Sequence, residues 1–219
     1  MTDMNSNRDR PDPKQTALAR ARYDRVAPLY DLMNLCSEFV YRRWREWLWQ
    51  QAPSRGRILE VGVGTGRNIP YHLRDTQVIG IDLSPKMLAR ARRRKQKLKA
   101  HTELALGDAQ ALDLPDASVD AAFATFVFCS VPDPVLGFRE LRRVVRPGGR
   151  VYLLEHVRSA NEFLGWLMDL INPLVVATMG FNINRRTLEN IEKAGLEVEQ
   201  TQNVGLGGIF KIIVARSRS

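Results

Sequence analysis

The sequence is poor in cysteine and histidine, and it has no recognisable export signal. Among its 219 residues, the only cysteines are Cys36 and Cys129, and there are three histidines. Two cysteines without an export signal favour free thiols in a reducing compartment over a disulfide. The polar segment 1–13 lacks the apolar centre of a signal peptide, and we expect it to be disordered. We therefore predict a cytoplasmic protein, and we predict no metal site.

An unbroken apolar run of membrane-spanning length is also missing. The least polar stretch, residues 163–181, carries Asp169, Asn172 and Pro173 at its middle. Polar residues at that depth argue against a transmembrane helix. The pattern predicts a helix, a break and a second helix that cover the substrate end of the domain. Such a cover suits a lipophilic substrate or shallow contact with a membrane.

Basic residues are in excess. The chain has 33 Lys and Arg against 24 Asp and Glu, which gives a net charge of +9 and a pI near 10.0. An anionic partner or surface is therefore plausible. The densest basic run, residues 86–99, is predicted to be a helix. It is typical of a solvated helix face, although an anionic membrane or nucleic acid would use the same charges.

Three of the four tryptophans lie between residues 39 and 49, interleaved with arginines. This pattern predicts an amphipathic helix, either packed on the domain with solvated arginines or lying at a membrane interface. The residues expected to share its apolar face are Val40, Trp44, Trp47 and Leu48.

The best-defined motif is a short apolar strand followed by alternating glycines. Residues 57–61 predict a buried parallel strand. Gly62, Gly64 and Gly66 follow directly and predict a tight turn whose backbone approaches a ligand, with a helix beginning near Thr65. A second apolar strand ends at Asp82, where a carboxylate can accept both hydroxyl groups of a ribose.

The details of this motif argue against NAD. The spacing is G-x-G-x-G rather than G-x-G-x-x-G, and Arg67 stands where the third dinucleotide glycine belongs. We place Glu60 at the lip of the pocket, where it would repel a pyrophosphate and attract an ammonium and a sulfonium. The motif therefore favours a cationic adenosine derivative.

Together with later motifs, these residues resemble the class I S-adenosylmethionine (SAM)-dependent methyltransferases. The resemblance covers residues 23–155 and rests on five segments in order: 60–66, 80–87, 107–109, 116–120 and 141–150. It implies an α/β, Rossmann-like, seven-stranded and mostly parallel sheet with helices on both faces, a C-terminal β-hairpin and an N-terminal helical lid. The expected division is 1–13 (tail), 14–51 (lid, facing a membrane) and 52–219 (methyltransferase domain).

Several elements are predicted along this domain. Ser84 should cap the basic helix with Pro85 at its first position. A helix is expected over 134–145, and another from an Asn184 cap to Gly195. Strands are expected at 102–106, 120–128 and 150–155, and residues 196–204 and 209–216 should form the closing hairpin.

The resemblance implies SAM as cofactor, with S-adenosylhomocysteine as product. It assigns Asp108 to the adenine amino group and the Ala109 N–H to the ring; an N-cap role for Asp108 is the alternative. Segment 23–34 resembles the quinone C-methyltransferases, and the resemblance places Tyr23 and Tyr30 on the cofactor; the alternative is that both tyrosines anchor a helix on the core. The predicted cofactor-binding residues are Tyr23, Tyr30, Glu60, Gly62, Gly64, Thr65, Gly66, Asn68, Asp82, Leu83, Met87, Asp108, Ala109, Thr125 and Phe126.

Two candidates for acid–base chemistry end the fifth strand. Glu155 and His156 should face the acceptor, and His156 is the better proton acceptor by position and chemistry. The alternative is a hydrogen-bonded structural histidine. No partnered base lies near Cys129 in sequence, so we interpret it as core or pocket lining.

The acceptor is the most open question. Segments 127–133, 154–157 and 182–190 resemble bacterial phospholipid N-methyltransferases and methyltransferase-like proteins that act on lipophilic thiols. Segment 125–130 lacks the Asn/Asp-Pro-Pro-aromatic motif of base-amino methyltransferases, so no nucleic acid partner is expected. We hypothesise a peripheral enzyme on the inner face of the membrane that methylates the amine of phosphatidylethanolamine. Quinone C-methylation, thiol S-methylation and a non-enzymatic SAM-binding adaptor are the alternatives; the oligomeric state stays open.

Overall fold

The computed structural model describes residues 10–205 and 207–217, so most of the predicted tail at 1–13 lies outside the described residues. The chain forms one seven-stranded sheet in the order β3-β2-β1-β4-β5-β7-β6. Neighbours among β1 to β5 are parallel, and β7 is antiparallel to both β5 and β6. The strands are β1 Gly56–Val61, β2 Thr76–Asp82, β3 Glu103–Leu106, β4 Val119–Thr125, β5 Val145–His156, β6 Leu196–Val204 and β7 Phe210–Ser217.

Helices surround this sheet, and the predicted fold class is confirmed. They are α1 Pro13–Val26, α2 Tyr30–Met33, α3 Leu35–Trp49, α4 Pro85–Leu98, α5 Pro134–Val144, α6 Glu162–Met179 and α7 Thr187–Lys193. The prediction for α4 holds in detail, because Pro85 opens the helix and Ser84 Oγ accepts from the Met87 N–H at 3.1 Å. Within the described residues, no helix is both long and apolar enough to cross a membrane.

Two apolar clusters pack on the sheet, and one of them anchors α3. Trp49 stacks on Phe123 with a centroid separation of 4.2 Å, and Phe123 stacks on Tyr152 at 4.6 Å. Leu48 and Trp49 are fully buried. Burying side chains of this size stabilises the fold by about 1.5–3 kcal/mol each, so α3 is held firmly at the edge of the cavity described below.

The predicted apolar face of α3 is only partly right. Val40 is 47% exposed, whereas Arg45, expected in solvent, is 7% exposed. Arg45, Leu48 and Trp49 share one face through their i, i+3 and i+4 spacing. The buried face of α3 differs from the predicted one because Arg45 has a polar partner inside the protein. Its Nη1 donates to Asn68 Oδ1 at 3.0 Å.

The helix predicted after the glycine turn is absent. Residues 64–68 form turns, and a single 3₁₀ turn, Ile69–Tyr71, follows before β2 begins. Pro70 has no N–H to continue an α-helix. The chain must also reach Thr76 within a few residues, which leaves no room for one.

Residues 163–179 belong to one continuous helix, so the predicted break is wrong. Pro173 lies inside α6, whose ends are fixed by the Asn161 cap and by Gly180 in the left-handed conformation. A proline removes one helical hydrogen bond. The carbonyl it releases lies on a largely exposed helix, where water can bind it.

Other element boundaries also shift. Asn184 does not cap α7: the helix begins at Thr187, and the Asn184 amide donates to Asp169 Oδ1 at 2.9 Å. Strand β4 ends at Thr125 because Phe126 adopts a left-handed φ of 57°. Strand β5 begins earlier than predicted because Val145 pairs with Val119.

Candidate active site

A cavity opens at the carboxyl ends of β1, β2 and β4 and is covered by α1 and α2. This is the edge where ligands bind in open α/β sheets. Most of the predicted cofactor residues line it. The lining residues are Ala19, Tyr23, Tyr30, Val61, Gly62, Gly64, Ile81, Asp82, Leu83, Met87, Gly107, Asp108, Ala109, Thr125, Phe126, Val127, Ser130, Val131 and Pro132.

The glycine turn forms one wall of the cavity. Gly62 and Gly64 adopt φ values of 66° and 56°, which side chains rarely tolerate. A Cβ on Gly62 would collide with Val127. A Cβ on Gly64 would meet nothing closer than the Gly62 carbonyl at 3.9 Å. The space in front of Gly64 is therefore open for a ligand.

Asp82 lies next to the glycine turn, at the tip of β2. Its Oδ2 accepts from the Gly64 N–H at 2.8 Å and its Oδ1 from the Ser84 N–H at 2.9 Å. Burial raises the pKa of Asp82 to about 6, although these two hydrogen bonds lower it. Each oxygen keeps further acceptor capacity, so the carboxylate can receive hydroxyl groups from a ligand.

Asp108 closes the far end of the cavity. Its Oδ2 accepts from the Thr16 hydroxyl of α1 at 3.0 Å, and its Oδ1 accepts from the Gln110 N–H at 2.9 Å. Asp108 caps no helix, since turns follow it. Asp108 therefore links the cavity floor to α1.

The two lid tyrosines both reach the cavity. Burial raises the pKa of Tyr23 well above its usual value and also raises that of Tyr30. Both phenols therefore stay neutral. Both side chains line the cavity, so their rings can contact a ligand beneath the lid.

Asp31 fastens the lid to the domain. Its carboxylate accepts from Arg67 Nε at 3.0 Å, Arg90 Nη2 at 2.9 Å and the Thr65 hydroxyl at 2.7 Å. Arg94 adds an ion pair at 3.2 Å. Burial alone would raise the pKa of Asp31, but these donors outweigh it and the pKa lies below its ordinary value. Arg90 and Arg94 of the basic helix α4 therefore attach α2 to the domain.

The lip position predicted for Glu60 is wrong. Glu60 is 1% exposed and does not line the cavity. Its Oε1 accepts from the Asn68 amide at 2.7 Å, and its Oε2 lies 2.8 Å from His72 Nε2. The Asn68 amide also donates to Thr125 Oγ1 at 3.1 Å. Glu60 and Asn68 therefore support the wall through Thr125.

Two other predicted cofactor residues stand behind the cavity. The Thr65 hydroxyl donates to Asp31, and its carbonyl accepts from Arg94 Nη1 at 2.9 Å. A Cβ on Gly66 would lie 2.6 Å from Ile69 Cδ1. Neither residue lines the cavity, so both hold the turn in place from outside.

Glu155 is buried and bonded to the loop after β4. It is 0% exposed, and its Oε1 accepts from the Val127 N–H at 2.9 Å and the Phe128 N–H at 3.1 Å. Burial raises its pKa to about 7, against the effect of these bonds. Because Glu155 does not line the cavity, the geometry favours positioning of the loop over direct proton transfer.

His156 and Cys129 also lie outside the cavity lining. His156 packs edge-on against Phe210, with ring centroids 5.1 Å apart, and its buried Nδ1 has no hydrogen-bond partner. Burial lowers the pKa of His156, and a hydrogen bond with the Ile183 backbone partly offsets this shift. Cys129 is buried, and burial raises the pKa of its thiol, so it is no nucleophile at neutral pH.

Sequence reasoning missed Asp31 and Arg45. Asp31 belongs to segment 23–34, but its partners Arg67 and Arg90 are distant in sequence, and only the fold brings them together. Arg45 was read as a solvated charge of an amphipathic helix. Its i−3 and i−4 spacing from Leu48 and Trp49 was the available signal for a buried position. Among the described residues, no group of His, Cys, Asp and Glu has the arrangement of a metal site.

The donors and space around this cavity suit SAM. The open space at Gly64, the Asp82 carboxylate and the Tyr23 and Tyr30 rings fit a ligand with ribose hydroxyl groups and a cationic end. An aromatic ring attracts a cation over its face. Bound SAM supplies an electrophilic methyl group.

Comparisons with known proteins agree with this fit. Residues 59–153 match the methyltransferase domain family. The chain is 44% identical over 174 residues to the phosphatidylethanolamine N-methyltransferase of Cereibacter sphaeroides, covering 72% of this chain and 78% of that protein. It is 35% identical over 178 residues to the UbiE ubiquinone/menaquinone C-methyltransferase of Paracoccus denitrificans, covering 76% and 70%.

A solved structure with the same fold is a Thermotoga maritima SAM-dependent methyltransferase described as a possible histamine N-methyltransferase. The TM-score is 0.69 at 25% identity, covering 90% of this chain and 99% of that one. Strand order, cavity and relatives lead to one conclusion. The chain belongs to the SAM-dependent methyltransferases, and SAM is its methyl donor.

Proposed function

We propose that the chain methylates the headgroup amine of phosphatidylethanolamine. The observation that carries this proposal is the 44% identity to a phosphatidylethanolamine N-methyltransferase, against 34% and 35% for two quinone methyltransferases. The cofactor residues in the lid and the glycine turn are proposed to hold SAM as described above. Methyl transfer from a sulfonium mainly requires alignment of nucleophile, methyl carbon and sulfur, which this cavity can supply.

The amine must be neutral before it attacks. A desolvated site lowers the pKa of an amine, and the region beside Phe126 is rich in aromatic side chains. We assign Glu155 the role of holding the loop that carries these groups. His156 is our candidate for accepting the released proton, since burial keeps its ring neutral.

An exposed apolar stripe on α6 supports a lipid acceptor. Phe163, Trp166, Leu170 and Leu174 are 72%, 56%, 61% and 68% exposed. Their spacing of three, four and four residues places them on one side of the helix. An amphipathic helix with aromatic and leucine residues on its free side is typical of helices that lie in a membrane interface.

A second exposed apolar group lies at the start of α3 and in α2. Leu32, Leu35 and Phe39 are 68%, 64% and 85% exposed. Glycines of the closing hairpin lie close to both α3 and α6: a Cβ on Gly205 would touch Trp44 of α3, and one on Gly207 would lie 3.8 Å from Leu164 of α6. We propose that both apolar groups contact the membrane and deliver the lipid to the cavity.

Quinone C-methylation is the second candidate. The lid segment with Tyr23 and Tyr30 matches the quinone family, and several relatives carry that name. A quinone is equally lipophilic, so the apolar surfaces do not discriminate between the two acceptors.

A direct assay separates the candidates. Purified protein is incubated with methyl-labelled SAM and vesicles that contain phosphatidylethanolamine, demethylmenaquinone or a long-chain thiol. We expect label in mono-, di- and trimethylated headgroups. Label in the quinone or thiol alone would overturn the proposal, and SAM binding without transfer to any acceptor would favour an adaptor. An Asp82→Ala variant, which should lose SAM binding, is the control for enzyme-dependent label.

A further inference from the structure

Five aromatic side chains form a cluster beside the SAM cavity. Tyr41 lies at the centre, with its ring centroid 4.7 Å from that of Phe126, 5.4 Å from Trp44 and 5.6 Å from Phe210. Phe210 also contacts Trp44 at 5.4 Å and His156 at 5.1 Å. The members come from α3, from the ends of β4 and β5 and from the start of β7, so only the fold assembles them.

This cluster is not closed core. Each of its five members is only partly buried, whereas Phe123, Phe128 and Phe138 in the core are fully buried. Phe126 belongs both to the cluster and to the lining of the SAM cavity. Its left-handed backbone, with φ at 57°, turns the chain there. The cluster therefore lies between solvent and the place where the methyl group is donated.

We propose that this aromatic cluster binds the ammonium end of the lipid headgroup, with a preference that grows as methyl groups are added. The inference rests on the proposed function and goes beyond it by assigning the acceptor subsite. Aromatic faces attract cations through their quadrupole, and surfaces of several rings are the usual receptors of methylated ammonium groups. A primary ammonium is strongly hydrated, but a trimethylated one presents only methyl groups to the rings.

The same contact assists the transfer itself. The neutral amine nitrogen forms a bond to the methyl carbon while the carbon–sulfur bond breaks and its electron pair stays on sulfur. The positive charge thus moves from sulfur to nitrogen, beside the aromatic rings. For a primary or secondary amine, a proton then leaves the nitrogen to solvent or a nearby base; the last product keeps its charge. Groups that stabilise charge where it develops lower the barrier.

One cation of the protein already lies beside the cluster, next to Phe126. The Arg45 guanidinium lies 5.5 Å from the Phe126 ring centroid, but it is paired with Glu38 at 3.4 Å and bonded to Asn68. Glu38 offsets part of this charge, since its carboxylate also pairs with Arg67 Nη1 at 2.7 Å. The rings of Tyr41, Trp44 and Phe210 carry no such contact among the described residues, so they are the faces assigned to the headgroup.

The test uses variants that remove a ring and variants that keep one. Tyr41→Leu and Trp44→Leu are compared with Tyr41→Phe and Trp44→Phe, and Tyr71→Leu serves as a control, because Tyr71 is a partly buried aromatic residue outside both the cluster and the cavity lining. Short-chain soluble phosphatidylethanolamine and its mono- and dimethyl forms are the substrates, so membrane binding does not enter. We expect the leucine variants to raise the KM of the dimethyl substrate by roughly 5- to 30-fold, more than that of the unmethylated one. The phenylalanine variants and Tyr71→Leu should stay near wild type, with SAM affinity unchanged throughout.

A binding measurement keeps this inference separate from the proposed function. Choline and its uncharged carbon analogue, 3,3-dimethylbutanol, are titrated into the SAM-saturated wild type and followed by NMR. Tighter binding of choline, lost in Tyr41→Leu, supports the subsite even if no headgroup is methylated, in which case only the proposed function falls. Equal binding of both probes, or a KM that is unchanged in both leucine variants, would overturn the inference.

Discussion

At the scale of single residues, Gly64 has the most direct link to the cofactor. We expect Gly64→Val to fold but to bind SAM at least tenfold more weakly, because its side chain would occupy the open space before the turn. The left-handed φ of 56° adds about 1–2 kcal/mol of strain. Calorimetric titration with SAM measures the affinity, and thermal unfolding measures the strain.

Gly148 offers a matched control for this experiment. It has a φ of 78°, and a Cβ there would meet only Arg216 at 3.7 Å, outside the cavity. Gly148→Val should show similar strain and unchanged SAM affinity. If both variants lost SAM binding equally, general destabilisation rather than the cavity would explain Gly64.

The raised pKa of Glu155 predicts that the stability of the protein depends on pH. Burial raises its pKa from 4.5 to about 7, so between these values the folded state holds a proton that the unfolded chain has lost. The protonated Glu155 carboxyl therefore makes its full contribution to the free energy of unfolding below pH 4.5, and this contribution is lost as the pH rises to about 7. Glu155→Gln keeps an acceptor for the Val127 and Phe128 N–H groups and removes the titration. Urea unfolding at pH 5, 6, 7 and 8 should show wild type losing stability relative to the Gln variant.

The difference in stability between wild type and Glu155→Gln excludes the contributions of the other titrating groups. Asp82, with its pKa raised to about 6, lowers stability over an overlapping range, and His156 acts in the opposite direction. Both are present in wild type and in Glu155→Gln. A difference between the two that stays constant from pH 5 to pH 8 would contradict the assignment. Glu155→Ala should be less stable than either, since it leaves two N–H groups unpaired.

At the scale of elements, the lid depends on one short helix. Asp31 in α2 joins Arg67, Arg90 and Arg94, and Thr16 in α1 donates to Asp108. These contacts tie the α1–α2 cover to both ends of the cavity. Helix α2 has only four residues, so its stability comes from these bonds rather than from its own hydrogen bonding.

We expect Asp31→Asn to weaken SAM binding by roughly 5- to 30-fold, since the variant removes the counter-charge of Arg90 and Arg94 and leaves Arg67 with Glu38 alone. Calorimetric titration at low salt measures the effect. Asp116→Asn is the control, because Asp116 pairs with Arg143 at the surface and is 79% exposed. The two variants differ in burial, so an equal loss of affinity would show that the lid attachment is not the cause.

At the scale of the whole molecule, charge and exposed apolar surface act together. The net charge of +9 and the exposed side of α6 predict binding to anionic vesicles at low salt. Each basic residue near such a surface contributes about 1 kcal/mol, and salt screens it. Sedimentation should show more protein on anionic than on neutral vesicles, with the excess disappearing at high salt.

The apolar part of this prediction has its own variants. Leu170→Ser combined with Leu174→Ser should reduce the binding that persists at high salt, because both side chains are more than half exposed on α6. Leu98→Ser, at the end of α4 and 45% exposed, is the control. Equal partitioning to neutral and anionic vesicles at low salt, or an unchanged double variant, would contradict membrane contact through this surface.

The sequence by itself determined most of the local structure of this protein. The strand periodicity, the glycine turn, the Ser84 cap and the closing hairpin are local patterns, and each is fixed by backbone conformation or by burial on one side of a strand. That is why the strands, the glycine turn and the position of Asp82 were predictable. The seven-stranded sheet and SAM were implied by the resemblance to the class I methyltransferases, which rests in part on segments 60–66 and 107–109 at the carboxyl ends of the strands.

Only the tertiary structure decided which charges are buried and what they meet. Glu60 was predicted at the lip but pairs with His72; Arg45 was predicted in solvent but is enclosed; Asp31 gathers arginines from the glycine turn and from α4. The aromatic cluster likewise joins residues from opposite ends of the chain. The physical reason is the same in each case: a side chain's partner is set by packing between distant elements, which local periodicity does not specify.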